Sequence, residues 1–130
     1  MKYIMLIYAN QSEMPQYTPE QSRAAIQNWM SFQNELQASG VLVENNSLNP
    51  VTDATTVRVR GGKRLIADGP FAETREQLGG YFVLDCANLD EAIDWAAKMP
   101  GAKYGTIEIR PIMTYSQDWQ SSQDWQSTQG

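Results

Sequence analysis

The spacing of apolar positions changes several times along this chain, and each change marks an element. Lys2 to Tyr8 is dominated by large apolar side chains, which predicts a buried central strand. Ala9 to Tyr17 is polar, contains Pro15 and reads as a loop. At Thr18 a helix start appears, with Thr18 as N-cap, Pro19 at the first helical position and Gln21 closing a capping box. Ala25, Ile26, Trp29, Phe32 (or Gln33) and Leu36 then recur at three- and four-residue steps. They predict one buried stripe on a helix that runs to about Ser39 and stops at Gly40.

Val41-Leu42-Val43 starts a second strand, and Asn45 to Thr52, with Pro50, bends or interrupts it. Thr55 to Arg60 alternates as a half-exposed strand, Gly61-Gly62 is a two-residue hairpin turn, and Lys63 to Ala67 returns antiparallel, ending at Asp68. Gly79 to Asp85 is another buried strand. Asn88 and Glu91 form a second capping box, followed by the stripe Leu89, Ala92, Ile93, Ala96 and Met99, and Pro100-Gly101 stops that helix. Thr106 to Arg110 alternates as a last strand ending near Pro111.

The order β-α-β, hairpin, β-α-β predicts an α+β, ferredoxin-like unit with an antiparallel sheet and an inserted hairpin. Both helices cover one sheet face. The other face needs a cover, and a second copy of the chain is the expected one, giving a homodimer arranged as a dimeric α/β barrel. The domain spans residues 1–113. Residues 114–130 differ in kind, because Ser116-Gln117-Asp118-Trp119-Gln120-Ser121 is almost repeated by Ser122-Gln123-Asp124-Trp125-Gln126-Ser127. This polar tail is expected either to be a free terminus or to dock through Trp119 and Trp125.

Composition narrows the function classes. With 130 residues the chain is one domain long enough to bury a core, and no apolar run is long enough for a membrane span. The short apolar start has no cleavage site behind it, so a cytoplasmic, membrane-free protein is the default expectation. A net charge of -5 without a basic stripe argues against nucleic acid as a partner. Arg58, Arg60 and Arg64 flank one turn and read as a solvated hairpin face rather than a phosphate site. The lone Cys86 has no internal disulfide partner and reads as a small residue at a strand end rather than a nucleophile. The chain contains no histidine, which rules out a Cys/His zinc site, a Ser-His-Asp or Cys-His arrangement and a proximal-histidine haem site. No metal or cofactor is expected.

Candidate chemistry centres on Asp68-Gly69-Pro70-Phe71, a rigid corner with a carboxylate on one side and an aromatic ring on the other. Asp68, partly desolvated beside Phe71, is the candidate proton-transfer group; the plainer reading is that its oxygens hold the turn. Glu73 and Glu76 follow in a polar link that either lines a pocket mouth or is a solvated turn. Arg110 is a candidate anion partner, or simply pairs with a carboxylate. Tyr3, Tyr8, Tyr81 and Trp29 are candidates for an apolar pocket between sheet and helix, with core packing favoured for Trp29 and Tyr8 placed nearest the Asp68 corner. The resulting candidate site is Asp68 as catalytic acid or base, with Tyr8, Phe71, Glu73, Tyr81 and Arg110 as binding residues.

Three segments carry a family resemblance: Met1 to Tyr8, Asp68-Gly69-Pro70-Phe71 with Ala72 to Tyr81 behind it, and Gly105 to Pro111. In these the chain resembles the YCII-related family, and more narrowly its DGPF-type branch, over residues 1 to about 113. The resemblance implies a dimeric α/β barrel in a small cytoplasmic bacterial protein, and an association with extracytoplasmic-function sigma factors. It also implies, for other family members, a His-Asp acid/base pair, from which this chain departs because it has no histidine. Two functions are therefore expected. One is a small-molecule-binding protein or cofactor-independent enzyme of isomerase or proton-transfer type, with Asp68 at the pocket. The other is a non-catalytic regulatory or sensor protein linked to sigma-factor signalling.

Overall fold

A computed structural model describes residues 1–14 and 16–114 of the chain. Four strands, β1 (Lys2–Ala9), β2 (Leu42–Ser47), β5 (Gln77–Asp85) and β6 (Thr106–Pro111), form an antiparallel sheet in the order β2-β5-β1-β6. The remaining strands, β3 (Thr55–Arg60) and β4 (Lys63–Asp68), pair only with each other. Helix α1 (Pro19–Ser39) connects β1 to β2, and α2 (Leu89–Lys98) connects β5 to β6. Two split β-α-β units around one antiparallel sheet make the ferredoxin-like α+β fold, with β3–β4 as the inserted hairpin.

Strand periodicity decides the faces. Tyr3 and Met5 are buried and Ile7 packs with them; their register partners Leu84, Phe82, Ile109 and Ile107 share that face. Leu36, Leu84, Met5 and Met99 lose all contact with water, each gaining about 1.5–3 kcal/mol. Phe32 meets Trp29, Phe82 and Trp95 edge-on, at centroid distances of 6.2, 5.7 and 6.2 Å. The opposite face carries half-buried Ile4, Leu6, Tyr8 and Tyr81 and buried Val83, flanked by Glu44, Thr106, Glu108 and Arg110, and both helices pack on the other side of the sheet.

The caps form where local chemistry places them. Thr18 Oγ1 accepts from the Gln21 amide at 3.2 Å, Gln21 Oε1 accepts from the Thr18 amide at 2.9 Å, and Gly40 ends the helix in the left-handed region at φ 80°. At α2, Asn88 Oδ1 accepts from the Glu91 amide at 2.9 Å, whereas the Glu91 carboxylate accepts from Ala87 at 3.1 Å, so the expected box closes one residue early.

Three expectations are corrected. Leu89 and Ile93 are 48% and 46% exposed, while Ala92, Trp95, Ala96 and Met99 face the core. Ala92 and Ala96 belong to both possible stripes, and the ring of Phe32 turns the helix toward Trp95. Ile26 is exposed for the same geometrical reason, lying beside the Trp29–Phe32–Leu36 line. The strand β2 continues through Asn45 and Asn46 to Ser47, because β5 supplies ladder partners, and a register shift between Leu42 and Glu44 leaves Val43 exposed.

Among the described residues no helix is long and apolar enough to cross a membrane. The repeated segment with Trp119 and Trp125 lies outside the described residues.

Candidate functional site

Between the first half of α1 and the sheet lies a cleft of about 510 Å³. Its apolar lining includes Ile7 on β1, Phe82 on β5, and Ile26, Trp29 and Met30 on α1. Two glycines make the room. A Cβ at Gly80 would stand 2.9 Å from the Asn46 carbonyl, so only glycine lets β2 close on β5 at this level. A Cβ at Gly101 would stand 3.3 Å from both Ile7 Cγ2 and Trp29 Cζ2, so bare backbone there lets the indole lie against the sheet. Trp29 in turn stacks on Phe82, with centroids 6.0 Å apart and planes 13° apart.

The polar side chains of the cleft are amides together with the hydroxyl residues Ser47 and Tyr104. Asn45 Nδ2 donates to Gln33 Oε1 at 3.3 Å, so β2 and α1 are tied across the cleft. Pairing uses one donor and one acceptor, and leaves Asn45 with an acceptor and Gln33 with a donor whichever way the two amides are turned. Neither group is buried and unsatisfied, so both are open to solvent or a ligand. Gln77 is occupied structurally, accepting from the Gln11 amide at 2.8 Å and donating to the Thr74 carbonyl at 2.6 Å. Among the described residues no Asp, Glu, Lys or Arg lines the cleft.

Trp29, Ala25 and Tyr104 also border a second, more polar groove of about 440 Å³ between α1 and the end of α2. There Lys98 pairs with Glu35 at 2.9 Å and lies 4.9 Å from the centre of the Trp95 ring.

The residues singled out from the sequence fall into two groups, and none of the six lines the cleft. Tyr8, Tyr81 and Arg110 share the open sheet face, where the Tyr81 hydroxyl accepts from Asn46 Nδ2 at 2.9 Å and lies 3.5 Å from Glu44. Asp68, Phe71 and Glu73 belong to the hairpin and the link after it, and all three are exposed, Phe71 to 75%. Phe71 and Pro70 border a recess of about 230 Å³ against the hairpin.

The corner itself is held by backbone groups. Gly69 adopts φ 96°, its amide donates to the Ala54 carbonyl at 2.7 Å, and its carbonyl accepts from Thr56 Oγ1 at 2.8 Å. The Asp68 carboxylate accepts no hydrogen bond among the described residues, so the turn-holding role weighed for it is not the one observed. Glu76 is tied down, accepting from Thr106 Oγ1 at 2.8 and 3.0 Å.

Of the four aromatics expected in a sheet–helix pocket, only Trp29 lines the cleft. Tyr3 is buried core, and Tyr8 and Tyr81 face the other way. Sequence reasoning missed Asn45 and Gln77. Gln33 was visible only as the alternative to Phe32 in the α1 stripe.

Cys86 is buried at the end of β5, and burial, reinforced by the carboxylates of Glu91 and Asp85, pushes its thiol up from the ordinary value. Asp85 is shifted down by the hydrogen bond from the Met1 ammonium, 2.9 Å away. Among the described residues no cluster of Cys, Asp and Glu is arranged to hold a metal ion.

Fold and cleft together define a ferredoxin-like α+β protein with an uncharged hollow between sheet and helices. The chain belongs to the YCII-related family: the model of the YCII-related domain matches residues 1–119. An uncharacterized protein of Rhizobium meliloti (strain 1021) is 36% identical over 117 residues, covering 88% of this chain and 94% of that protein. Among solved structures, 5-chloro-2-hydroxyhydroquinone dehydrochlorinase (TftG) from Burkholderia phenoliruptrix AC1100, in complex with 2,5-dihydroxybenzoquinone, aligns with a TM-score of 0.45 and 11% identity, covering 87% of this chain and 94% of that chain. A likeness of that degree says nothing of substrate or chemistry.

Proposed function

We propose that the chain is a small-molecule-binding protein whose ligand is uncharged and largely apolar, held in the cleft between α1 and the sheet, and that two copies associate through their open sheet faces. The observation behind this reading is the lining of the cleft. Trp29, Phe82 and Ile7 offer apolar surface, the Asn45–Gln33 pair offers further acceptors and donors, and among the described residues no charged side chain lines the cleft. An ionised ligand entering such a space would leave water without gaining a counter-charge. A planar molecule with a neighbouring carbonyl and N–H or O–H, such as a lactam or hydroxy-ketone, satisfies both amides while covering the indole.

The same lining favours binding over proton-transfer catalysis. Among the described residues no carboxylate or lysine borders the cleft to act as general base, and Asp68 stands on the hairpin. Dimerisation is supported by the half-buried apolar side chains of Ile4, Leu6 and Tyr8 at the centre of the open face.

Calorimetric titration with matched pairs of neutral lactams or lactones and their ring-opened carboxylates tests the reading, with ligand turnover followed by NMR. The neutral member is expected to bind, without turnover, in both the wild type and Asp68→Asn. Tighter binding of the carboxylates, or turnover abolished by Asp68→Asn, would overturn it.

A further inference from the structure

The hairpin β3–β4 is unlike the rest of the fold. Its two strands pair with each other and pack only weakly on anything else, and a lone two-stranded hairpin is marginally stable in water. One face presents Val57 and Ile66, 58% and 62% exposed, beside Val59 and Arg64, and the other carries Arg58, Arg60 and Lys63. Its far end is cationic. Arg58, Arg60, Lys63 and Arg64 are four of the ten basic residues of the chain, and no acid lies between Thr55 and Ala67. The remaining six basic residues stand against all fifteen acids. Among the described residues none of the four hairpin cations makes an ion pair.

The open sheet face has the complementary pattern. Its centre is apolar, and Glu44 on β2, Glu76 before β5 and Glu108 on β6 lie at its margin, Glu76 through its bond to Thr106, with one cation, Arg110, beside them.

We propose that the β3–β4 hairpin is a docking arm whose occupant is a second copy of this chain: the arm of each copy reaches the acidic margin of the other's open sheet face, with Arg58, Arg60 and Lys63 opposite Glu44, Glu76 and Glu108. The inference rests on the reading that two copies associate through that face. Two-fold symmetry makes the exchange reciprocal, so one pair of surfaces is used twice.

Charge exchange tests it in the full-length chain. The wild type is run in sedimentation velocity from low micromolar to near millimolar concentration, beside Arg58→Glu/Arg60→Glu/Lys63→Glu and Glu44→Lys/Glu108→Lys. Hydrogen exchange of peptides covering residues 55–68 is read across the same range. The arm variant is expected to dissociate at least about tenfold more readily than wild type. An equimolar mixture of the two variants is expected to recover the lost association, and wild-type hairpin protection is expected to rise with concentration. Recovery in the mixture also excludes simple misfolding of either variant. A dimer that survives arm reversal, with a hairpin equally unprotected at every concentration, overturns the arm and leaves the sheet-face dimer standing. A wild type monomeric throughout overturns both. Protection independent of concentration means that the chain covers its own hairpin, and also overturns the proposal.

Discussion

Trp29 lies parallel to Phe82, one ring from α1 and one from β5, with 6.0 Å between centroids. That stack is both core and cleft wall, which separates two consequences of changing it. Replacing a fully buried aromatic by alanine costs about 3–5 kcal/mol, and Trp29, only half-buried, belongs near the bottom of that range. Trp29→Ala is expected to lose about 3 kcal/mol in urea unfolding. Trp29→Phe is expected to keep most of the stability and still weaken the neutral ligand by about tenfold, a loss of roughly 1.4 kcal/mol of contact, measured by calorimetry.

Asn45→Asp tests the uncharged character of the cleft. The substitution is nearly isosteric and sits where solvent reaches, so unfolding free energy is expected to change by less than about 1.5 kcal/mol. Affinity for the neutral ligand is expected to fall by more than about tenfold, because a carboxylate brought under a ligand loses water without a partner cation. Unchanged affinity would place the ligand elsewhere.

Gly105 and Gly79 make a contrasting pair. A Cβ at Gly105 would stand 2.1 Å from the Tyr8 carbonyl oxygen, and 3.2 Å from that of Gly101. Both obstacles are backbone, so no rotamer relieves them. Gly105→Ala is expected to cost about 3 kcal/mol or more in urea unfolding. At Gly79 the nearest atom, the Ile7 carbonyl oxygen, would be 3.9 Å away, and Gly79→Ala is expected to cost under about 1 kcal/mol.

Cys86 ties stability to pH at the alkaline end. Its thiol is held above the ordinary value by burial, so the folded state favours the protonated form more than the unfolded state does. The associated stability is present below the unfolded thiol pKa, about 8.5, and is lost as pH rises through the higher folded value. Wild-type protein is therefore expected to lose stability between pH 8 and 10 (roughly the range in which thiols ionise) faster than Cys86→Ala does, as followed by urea unfolding. Labelling by a thiol reagent at pH 8 (near the ordinary thiol pKa) is expected to track unfolding rather than outrun it.

Features set by neighbours along the chain were legible in the sequence. Thr18, Pro19, Gln21 and Gly40 bound α1 as read, and Gly61-Gly62 turns the hairpin as read. Element order led directly to the ferredoxin-like arrangement. What failed to show was anything decided across the fold. Leu89, Ile93 and Trp95 all satisfy a helical period, and only the position of Phe32 selects Trp95. Asn45 and Gln33 look like solvated polar residues until β2 is laid beside α1. The corner at Asp68 was legible as a bend, but the body on which a bend places its side chains depends on pairings tens of residues away.

The indole of α1, with Ala25 and Tyr104 beside it, is a partition between two rooms: the uncharged cleft and the groove that ends at Lys98. Any guest that tilts the partition redraws both rooms at once, and linkage makes the effect mutual. A visitor to the charged groove that moved the indole would change the shape of the neutral one, without any relay of residues between them.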